Sequence, residues 1–176
     1  MRRERFRLVV IIACAAIVLG VVSAVGVAAA IGGRRPAQPW TSACPTPALS
    51  GAVADVTLTD MGGMMRISVV PPTVPAGTVS LRVHNSGALT HEVIVLPLGS
   101  GQYPGQRAIG TDGRVDESGS LGEASRSCGA DEGDGILAGA NSWTTINLPP
   151  GRYELLCNIT GHYGAGMYAE LDAVTR

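Results

Sequence analysis

The feature that most constrains the fold is a short glycine-rich segment that runs from Cys157 to Met167 between two alternating stretches. It carries a cysteine, a histidine and a methionine at Cys157, His162 and Met167, with four residues between neighbouring members. Residues 152–156 and 168–174 on either side alternate in the manner of strands. The glycines between them allow a tight loop, because glycine tolerates positive φ. The pattern predicts a strand, a loop and a strand, with a thiol, an imidazole and a thioether at one end.

These three side chains form a soft ligand set, which among common metals favours copper. Two histidines and a cysteine in a trigonal arrangement, with a weak axial methionine, make an electron-transfer copper site. The second histidine must come from elsewhere, and the 3 histidines of the chain leave only His84 and His91. We favour His91, because it follows the turn signal Asn85-Ser86-Gly87 and opens the apolar run 93–96.

From about Val53 to Val174 the chain resembles a cupredoxin, the family of type 1 blue copper proteins. The turn at 75–77, the strand Thr78–Asn85, the His91-Glu92 pair and the loop 157–167 occur in the order of that family. The Cys-x₄-His-x₄-Met spacing is similar to the sulfocyanin and rusticyanin branch, whereas plastocyanin has a shorter loop. The resemblance implies an all-β, cupredoxin-like Greek-key β-sandwich and one type 1 copper ion. It places the metal ligands on His91, Cys157, His162 and Met167.

The resemblance also implies roles for single residues. His162 would reach the surface through an apolar patch and serve as the electron port, and Met167 would be the axial ligand. Glu92 departs from the asparagine that follows this histidine in plastocyanin and azurin and ties the two ligand loops together. A glutamate there is expected to accept bonds from loop amides around Thr160. Asn85 either braces the His91 loop or is a simple turn residue.

Seven or so short strands separated by turn signals indicate a β-sandwich. Beyond the stretches already named, strands are predicted from Val53, over Arg66–Val70 and over Ser142–Leu148. The run Thr78–Val83 alternates so that His84 points outward, and His91–Leu96 is apolar enough for a central strand buried on both faces.

Strand parity next to the loop supports the site. It turns Tyr153, Leu155 and Cys157 inward and turns Arg152 and Glu154 outward.

The first 31 residues are unlike the rest. Residues 1–7 are strongly basic, and Leu8 to Ile31 runs 24 residues without a charge. We read residues 1–31 as an N-terminal transmembrane signal anchor, whose basic end stays in the cytoplasm while the remainder is extracytoplasmic. The alternative is a cleaved signal peptide and a secreted protein. Residues 32–51 read as a Pro/Gly-rich tether, and residues 52–176 as the cupredoxin domain.

Within that domain, residues 99–135 form a long insertion with 10 glycines and 7 acidic residues. A loop of this length is either functional or disordered, and the sequence leaves both open. Exported cysteines usually pair, and Cys44 with Cys128 is the pair we expect. That pairing would leave Cys157 free for a metal.

The charge pattern narrows the class of partner. Residues 36–176 carry 7 arginines and 13 acidic residues, a formal charge near −6, which disfavours nucleic acid. The sequence shows no Ser/His/Asp arrangement, carboxylate pair or phosphate loop, and a single ligand set does not suit a multicopper oxidase. We therefore expect no enzyme, but a carrier of single electrons between redox partner proteins.

The alternative function is copper delivery or resistance without rapid electron transfer. Met61, Met64 and Met65 could form a Cu(I)-binding cluster in support of it, although we expect these side chains to pack under the first turn.

Overall fold

The computed structural model describes residues 44–175. Within them the chain forms ten strands and a short turn at Met61–Gly63. The strands are β1 (Ala52–Thr59), β2 (Arg66–Val70), β3 (Thr73–Pro75), β4 (Gly77–Asn85), β5 (Val93–Leu98), β6 (Gly122–Ala124), β7 (Gly129–Ala130), β8 (Asn141–Leu148), β9 (Gly151–Leu156) and β10 (Tyr168–Val174).

The strands form two five-stranded sheets. The first has the order β2-β1-β4-β8-β7, and the second has the order β3-β10-β9-β5-β6. Most pairs are antiparallel, but β1 pairs with β4, β3 with β10 and β7 with β8 in parallel. The predicted all-β two-sheet architecture is confirmed. The predicted N-terminal helix lies outside the described residues, and among residues 44–175 no helix is long and apolar enough to cross a membrane.

The main core lies between the sheets, and strand alternation selects its members. Val79, Leu81 and Val83 of β4 are fully buried. They share one apolar cluster with Leu155 and Cys157 from the end of β9. Burying an aliphatic side chain of this size contributes roughly 1.5–3 kcal/mol, and the cysteine lies within this buried cluster.

A second, smaller apolar cluster covers the outer face of the second sheet. Ile94 and Leu96 of β5 and Leu156 of β9 pack there against Val115 of the insertion and Tyr163 of the glycine-rich loop. Because Val93 and Val95 face the main core, β5 is buried on both faces, as predicted. The strand begins at Val93, however, and His91 precedes it in an isolated bridge to Ile136.

Glu154 was predicted to point outward, and the structure confirms the direction of the side chain but not its exposure to solvent. The side chain does point away from the space between the sheets, yet it has no exposed surface. The insertion covers this face, and Arg107 Nε lies 2.5 Å from Glu154 Oε2. The amide of Gly105 and the hydroxyl of Tyr163 donate to Glu154 Oε1 at 2.7 and 3.0 Å. Parity gives the direction of a side chain, but it does not show what covers it.

The insertion is built into both sheets. Its strand β6 pairs with β5, and its strand β7 pairs with β8. The predicted disulfide between Cys44 and Cys128 is present and joins the predicted tether to the insertion. Asn141 Nδ2 adds a hydrogen bond to the carbonyl of Cys44 at 3.1 Å. The part of the tether before Cys44 lies outside the described residues.

Candidate metal centre

Three of the four predicted ligands meet at one end of the sandwich. The Nδ1 atoms of His91 and His162 are 3.2 Å apart. The Sγ atom of Cys157 lies 3.4 Å from Nδ1 of His162 and 4.0 Å from Nδ1 of His91. Among the described residues, these three form the one group of histidine, cysteine and carboxylate side chains with metal-binding geometry.

The size of this triangle fits a metal ion. The point equidistant from the three donor atoms lies about 2.1 Å from each, within the roughly 2.0–2.3 Å that zinc keeps to histidine nitrogen and cysteine sulfur. Thiolate and imidazole donors in a trigonal arrangement are the set that copper takes in electron-transfer proteins. The residues present therefore fit the metal that the sequence predicts.

Burial determines the protonation of the donors when no cation is bound. Removal from water raises the pKa of the Cys157 thiol to about 12, an effect that the amides of Ile159 and Glu92 partly offset. The pKa of His162 is lowered, mainly by its partial burial and then by the adjacent His91. A neutral imidazole is ready to bind a metal, whereas the thiol must lose its proton when a cation binds.

The fourth predicted ligand, Met167, is fully buried and belongs to the same core cluster as Cys157. Backbone hydrogen bonds within the loop fix its position. The amide of Met167 donates to the carbonyl of His162 at 3.2 Å, and the amide of Cys157 donates to the carbonyl of Met167 at 3.1 Å. Gly161 and Gly166 take positive φ values of 84° and 95°, which explains the need for glycine at these turns.

Asn85 braces the His91 loop, so of its two possible roles the structure selects this one. Its Nδ2 donates to the carbonyls of Leu89 and Ile136, both at 2.7 Å. Its Oδ1 accepts the amide of Gly87 at 2.9 Å. His84, predicted to point outward, is half-buried and bonds through Nδ1 to Asn141 Oδ1 at 2.8 Å. It does not join the donor cluster.

Glu92 ties the two ligand loops together, as asparagine does in plastocyanin and azurin. Its Oε1 accepts the amide of Asn158 at 3.0 Å. The expected partner lay around Thr160, so the role is as predicted and the contact is two residues earlier. Burial, followed by repulsion from Glu123, raises the pKa of Glu92 to about 7.

The insertion holds the ligand loop from outside. Asn158 Oδ1 accepts the amide of Val115 at 2.7 Å, and Asn158 Nδ2 donates back to the carbonyl of Val115 at 2.9 Å. The amide of Gly161 donates to the carbonyl of Gly113 at 3.0 Å. Of the two possibilities for residues 99–135, the structure therefore favours a functional segment that supports the site.

Asp60 is a site residue that sequence analysis missed. Its Oδ2 lies 3.0 Å from Nε2 of His91, and the amides of Ala88 and Leu89 lower its pKa. No local pattern marks an acid 31 residues before a histidine. The signal that would have found it is the parallel pairing of β1 with β4, which was not predicted.

The site is partly exposed at one of its donors. His162 is half-buried, whereas the other donors have no exposed surface. Met61 and Met64, next to Asp60, are 74% and 69% exposed. The prediction that they pack under the first turn was wrong, because no residue of the turn at Met61–Gly63 is buried. Met65 packs against the main core as expected.

Comparison with known proteins places this site in a family. The sequence profile of the sulfocyanin (SoxE) domain matches residues 54–175. Among solved structures, the chain is similar to dithionite-reduced auracyanin from Roseiflexus castenholzii, with 19% identity over 72% of this chain and 99% of that one and a TM-score of 0.47. Auracyanin A from Chloroflexus aurantiacus gives 18% identity over 69% and 99%, with a TM-score of 0.44. Rusticyanin gives 20% identity over 70% and 79%, with a TM-score of 0.46.

No curated protein matches the sequence. The family assignment rests on the profile match, which spans more than two thirds of the 176 residues. The chain belongs to the sulfocyanin family of cupredoxins, a group of blue copper electron carriers that bind one type 1 copper ion.

Proposed function

We propose that this protein carries single electrons between redox partner proteins, with one copper ion held by His91, Cys157, His162 and Met167. The observation that carries the proposal is the triangle of two imidazole nitrogens and one thiol sulfur, whose size fits a metal ion. When bound, copper supplies a one-electron Cu(II)/Cu(I) couple to such a donor set.

The chain contributes metal ligands that are held in fixed positions and are mostly shielded from water. His91, Cys157 and Met167 have no exposed surface, which supports exclusion of water from the metal. Loop hydrogen bonds, Glu92 and the insertion hold the donors in place, so little reorganisation would accompany a change of oxidation state. His162 is the one of the four ligands with exposed surface, which supports it as the point of electron entry and exit. No substrate is transformed.

The visible spectrum of the Cu(II)-loaded protein tests this function. We expect intense blue absorption from a thiolate–Cu(II) bond, and its complete loss in Cys157→Ser. His91→Asn and His84→Asn form a matched pair, since only His91 belongs to the cluster. The first should lose the blue colour, and the second should keep it. A pale wild-type protein that nevertheless binds one equivalent of copper would contradict the proposal.

A second candidate function is copper delivery or resistance, which the exposure of Met61 and Met64 favours. Thioethers are soft donors suited to Cu(I). We still expect the double variant Met61→Leu/Met64→Leu to bind as much copper as the wild type. Loss of one equivalent of copper would favour the second function. Slow electron self-exchange, together with ready transfer of Cu(I) to an acceptor protein, would replace the first function by the second.

We further propose that the copper domain is extracytoplasmic and tethered to the membrane. The disulfide between Cys44 and Cys128 supports an oxidising compartment, and the apolar segment 8–31 supports an anchor. In cells that express the full chain, the protein should stay with membranes after an alkaline wash and be cleaved by protease added from outside. Recovery of a soluble protein that begins after residue 31 would show that the segment is a cleaved signal peptide.

A further inference from the structure

The side chain of Asp60 lies directly behind the donor cluster, although it is not a predicted ligand. It belongs to the turn between β1 and β2, and 7% of its side-chain surface is exposed. Its Oδ2 lies 3.0 Å from Nε2 of His91, the ring nitrogen opposite the one that faces Cys157 and His162.

Backbone amides hold this carboxylate in place. Ala88 donates to Asp60 Oδ1 and Oδ2 at 2.9 and 2.8 Å, and Leu89 donates to Oδ2 at 2.6 Å. A carboxylate that receives only N–H donors is in its acceptor-only, ionised form. The same group therefore binds the loop that precedes His91 and the ring of His91 itself.

This contact determines which nitrogen of His91 is available to a metal. Because an ionised carboxylate can only accept, Nε2 must carry the proton and donate it to Asp60. Nδ1 then presents its lone pair to the centre of the donor triangle. A carboxylate bonded to a metal-binding histidine also raises the basicity of that ligand.

We propose that Asp60 is a positioning residue of the copper centre, which fixes the tautomer of His91 and lowers the reduction potential of the site through its charge. The inference rests on the proposed function. A negative charge beside a ligand favours the more highly charged Cu(II) form over Cu(I). Because only 7% of the Asp60 side-chain surface is exposed, water screens this charge weakly.

The reduction potential of the full copper-loaded chain tests the effect of the charge. In Asp60→Asn the amide oxygen can still accept the His91 proton, but the charge is gone. We expect the one-electron equilibrium to shift at least tenfold toward Cu(I), which corresponds to a rise in potential of about 59 mV. Asp55→Asn is the matched control, since Asp55 lies in β1, the strand that leads into the turn of Asp60, and pairs with the exposed Arg82. Its potential should stay at the wild-type value.

The tautomer is read separately by ¹⁵N NMR of the His91 ring in the full chain, before and after Cu(I) is added. We expect the proton on Nε2 in the wild type and in Asp60→Asn, and a mixture of tautomers in Asp60→Ala. A blue Asp60→Asn protein with an unchanged potential would overturn the role of the charge. A wild-type His91 with its proton on Nδ1 would overturn the role in positioning, even if Asp60→Ala fails to fold.

The two proposals fail in different ways. If the wild type lacks blue absorption while His91 keeps its proton on Nε2, the electron-transfer function is contradicted, but the role of Asp60 in fixing the tautomer of His91 is supported. If the protein is blue and Asp60→Asn leaves the reduction potential unchanged, the effect of the Asp60 charge on the potential is contradicted, but the electron-transfer function is supported.

Discussion

Glu154 illustrates how a single buried charge depends on its partner. The side chain of Glu154 has no exposed surface, and that of Arg107 is 22% exposed. Arg107 also donates to the carbonyl of Pro97 at 2.6 Å, so it links the insertion to β5. Removal of one member of a buried ion pair leaves an uncompensated charge in a medium that solvates it poorly.

Arg107→Ala should therefore lower the free energy of unfolding by about 3 kcal/mol. Arg82→Ala is the matched control, because the Arg82–Asp55 pair is half-exposed on both sides, and exposed pairs contribute under about 1 kcal/mol. Urea unfolding of the two variants measures the difference. Equal losses in both would show that Glu154 is not held by Arg107. The double variant Arg107→Ala/Glu154→Gln should recover part of the loss.

The ionisation of Glu123 should make the free energy of unfolding depend on pH. Partial burial, despite a hydrogen bond with Ser125, raises the pKa of Glu123 above its usual 4.5. Between pH 4.5 and that raised value, the folded chain holds a proton that the unfolded chain has released. Stability must then fall as pH rises through this window.

In Glu123→Gln this dependence is absent, and the amide oxygen keeps an acceptor for Ser125. We expect the variant to be more stable than the wild type at pH 7 and to lose its advantage below pH 4. Thermal unfolding at several pH values measures both curves. Curves that stay parallel from pH 4 to 7 would contradict the effect of burial on Glu123.

At the level of secondary structure, local pattern predicted most strands and located the insertion, but it did not predict the strands β6 and β7 within the insertion. β2 and β10 have the predicted bounds, and β8 begins one residue earlier than predicted. These strands alternate because one face meets the core, so the sequence itself carries the signal. Residues 99–135 have almost no such period. Their positions depend on hydrogen bonds to distant residues, such as the contact of Val115 with Asn158.

Gly113 tests whether the insertion supports the ligand loop. Its φ is +77°, and a Cβ there would lie 3.0 Å from Cγ2 of Thr160 and 3.3 Å from the amide of Gly161. Gly113→Ala should therefore strain the backbone and push the insertion away from the loop. Gly101 has nearly the same φ, +78°, but a Cβ there meets nothing within 4 Å.

Both alanine variants should lose about 1–2 kcal/mol of stability from the left-handed backbone. Only Gly113→Ala should also release copper faster to a chelator, because only Gly113 contacts the ligand loop. Stopped-flow loss of the blue absorption measures the release. If Gly101→Ala releases copper as fast as Gly113→Ala, backbone strain alone is the cause and the insertion does not brace the site.

For the molecule as a whole, the metal-binding residues were easier to predict from the sequence than the residues that hold them in place. Cys157, His162 and Met167 share one short loop, so their spacing was visible, and His91 followed a turn signal. Asp60 and Arg107 act across long separations, of 31 residues to His91 and 47 to Glu154. Such contacts arise when β1 pairs in parallel with β4, or when the insertion folds back over β9. Neither event leaves a local pattern in the residues concerned.

The net negative charge of the domain should affect how fast it exchanges electrons with charged reagents. Residues 36–176 carry a formal charge near −6, which the raised pKa of Glu92, about 7, reduces slightly at pH 7. A protein of this charge attracts cations over a distance that salt shortens, since the Debye length is about 10 Å at 0.1 M ionic strength.

The rate of oxidation of the Cu(I) protein by a cationic cobalt complex should therefore fall as salt is added, and the rate with an anionic iron cyanide complex should rise. Stopped-flow rates at several ionic strengths measure both slopes. If the two rates change with salt in the same direction, the net negative charge does not control the approach of the reagents. The surface around His162 would then have to be locally neutral or basic.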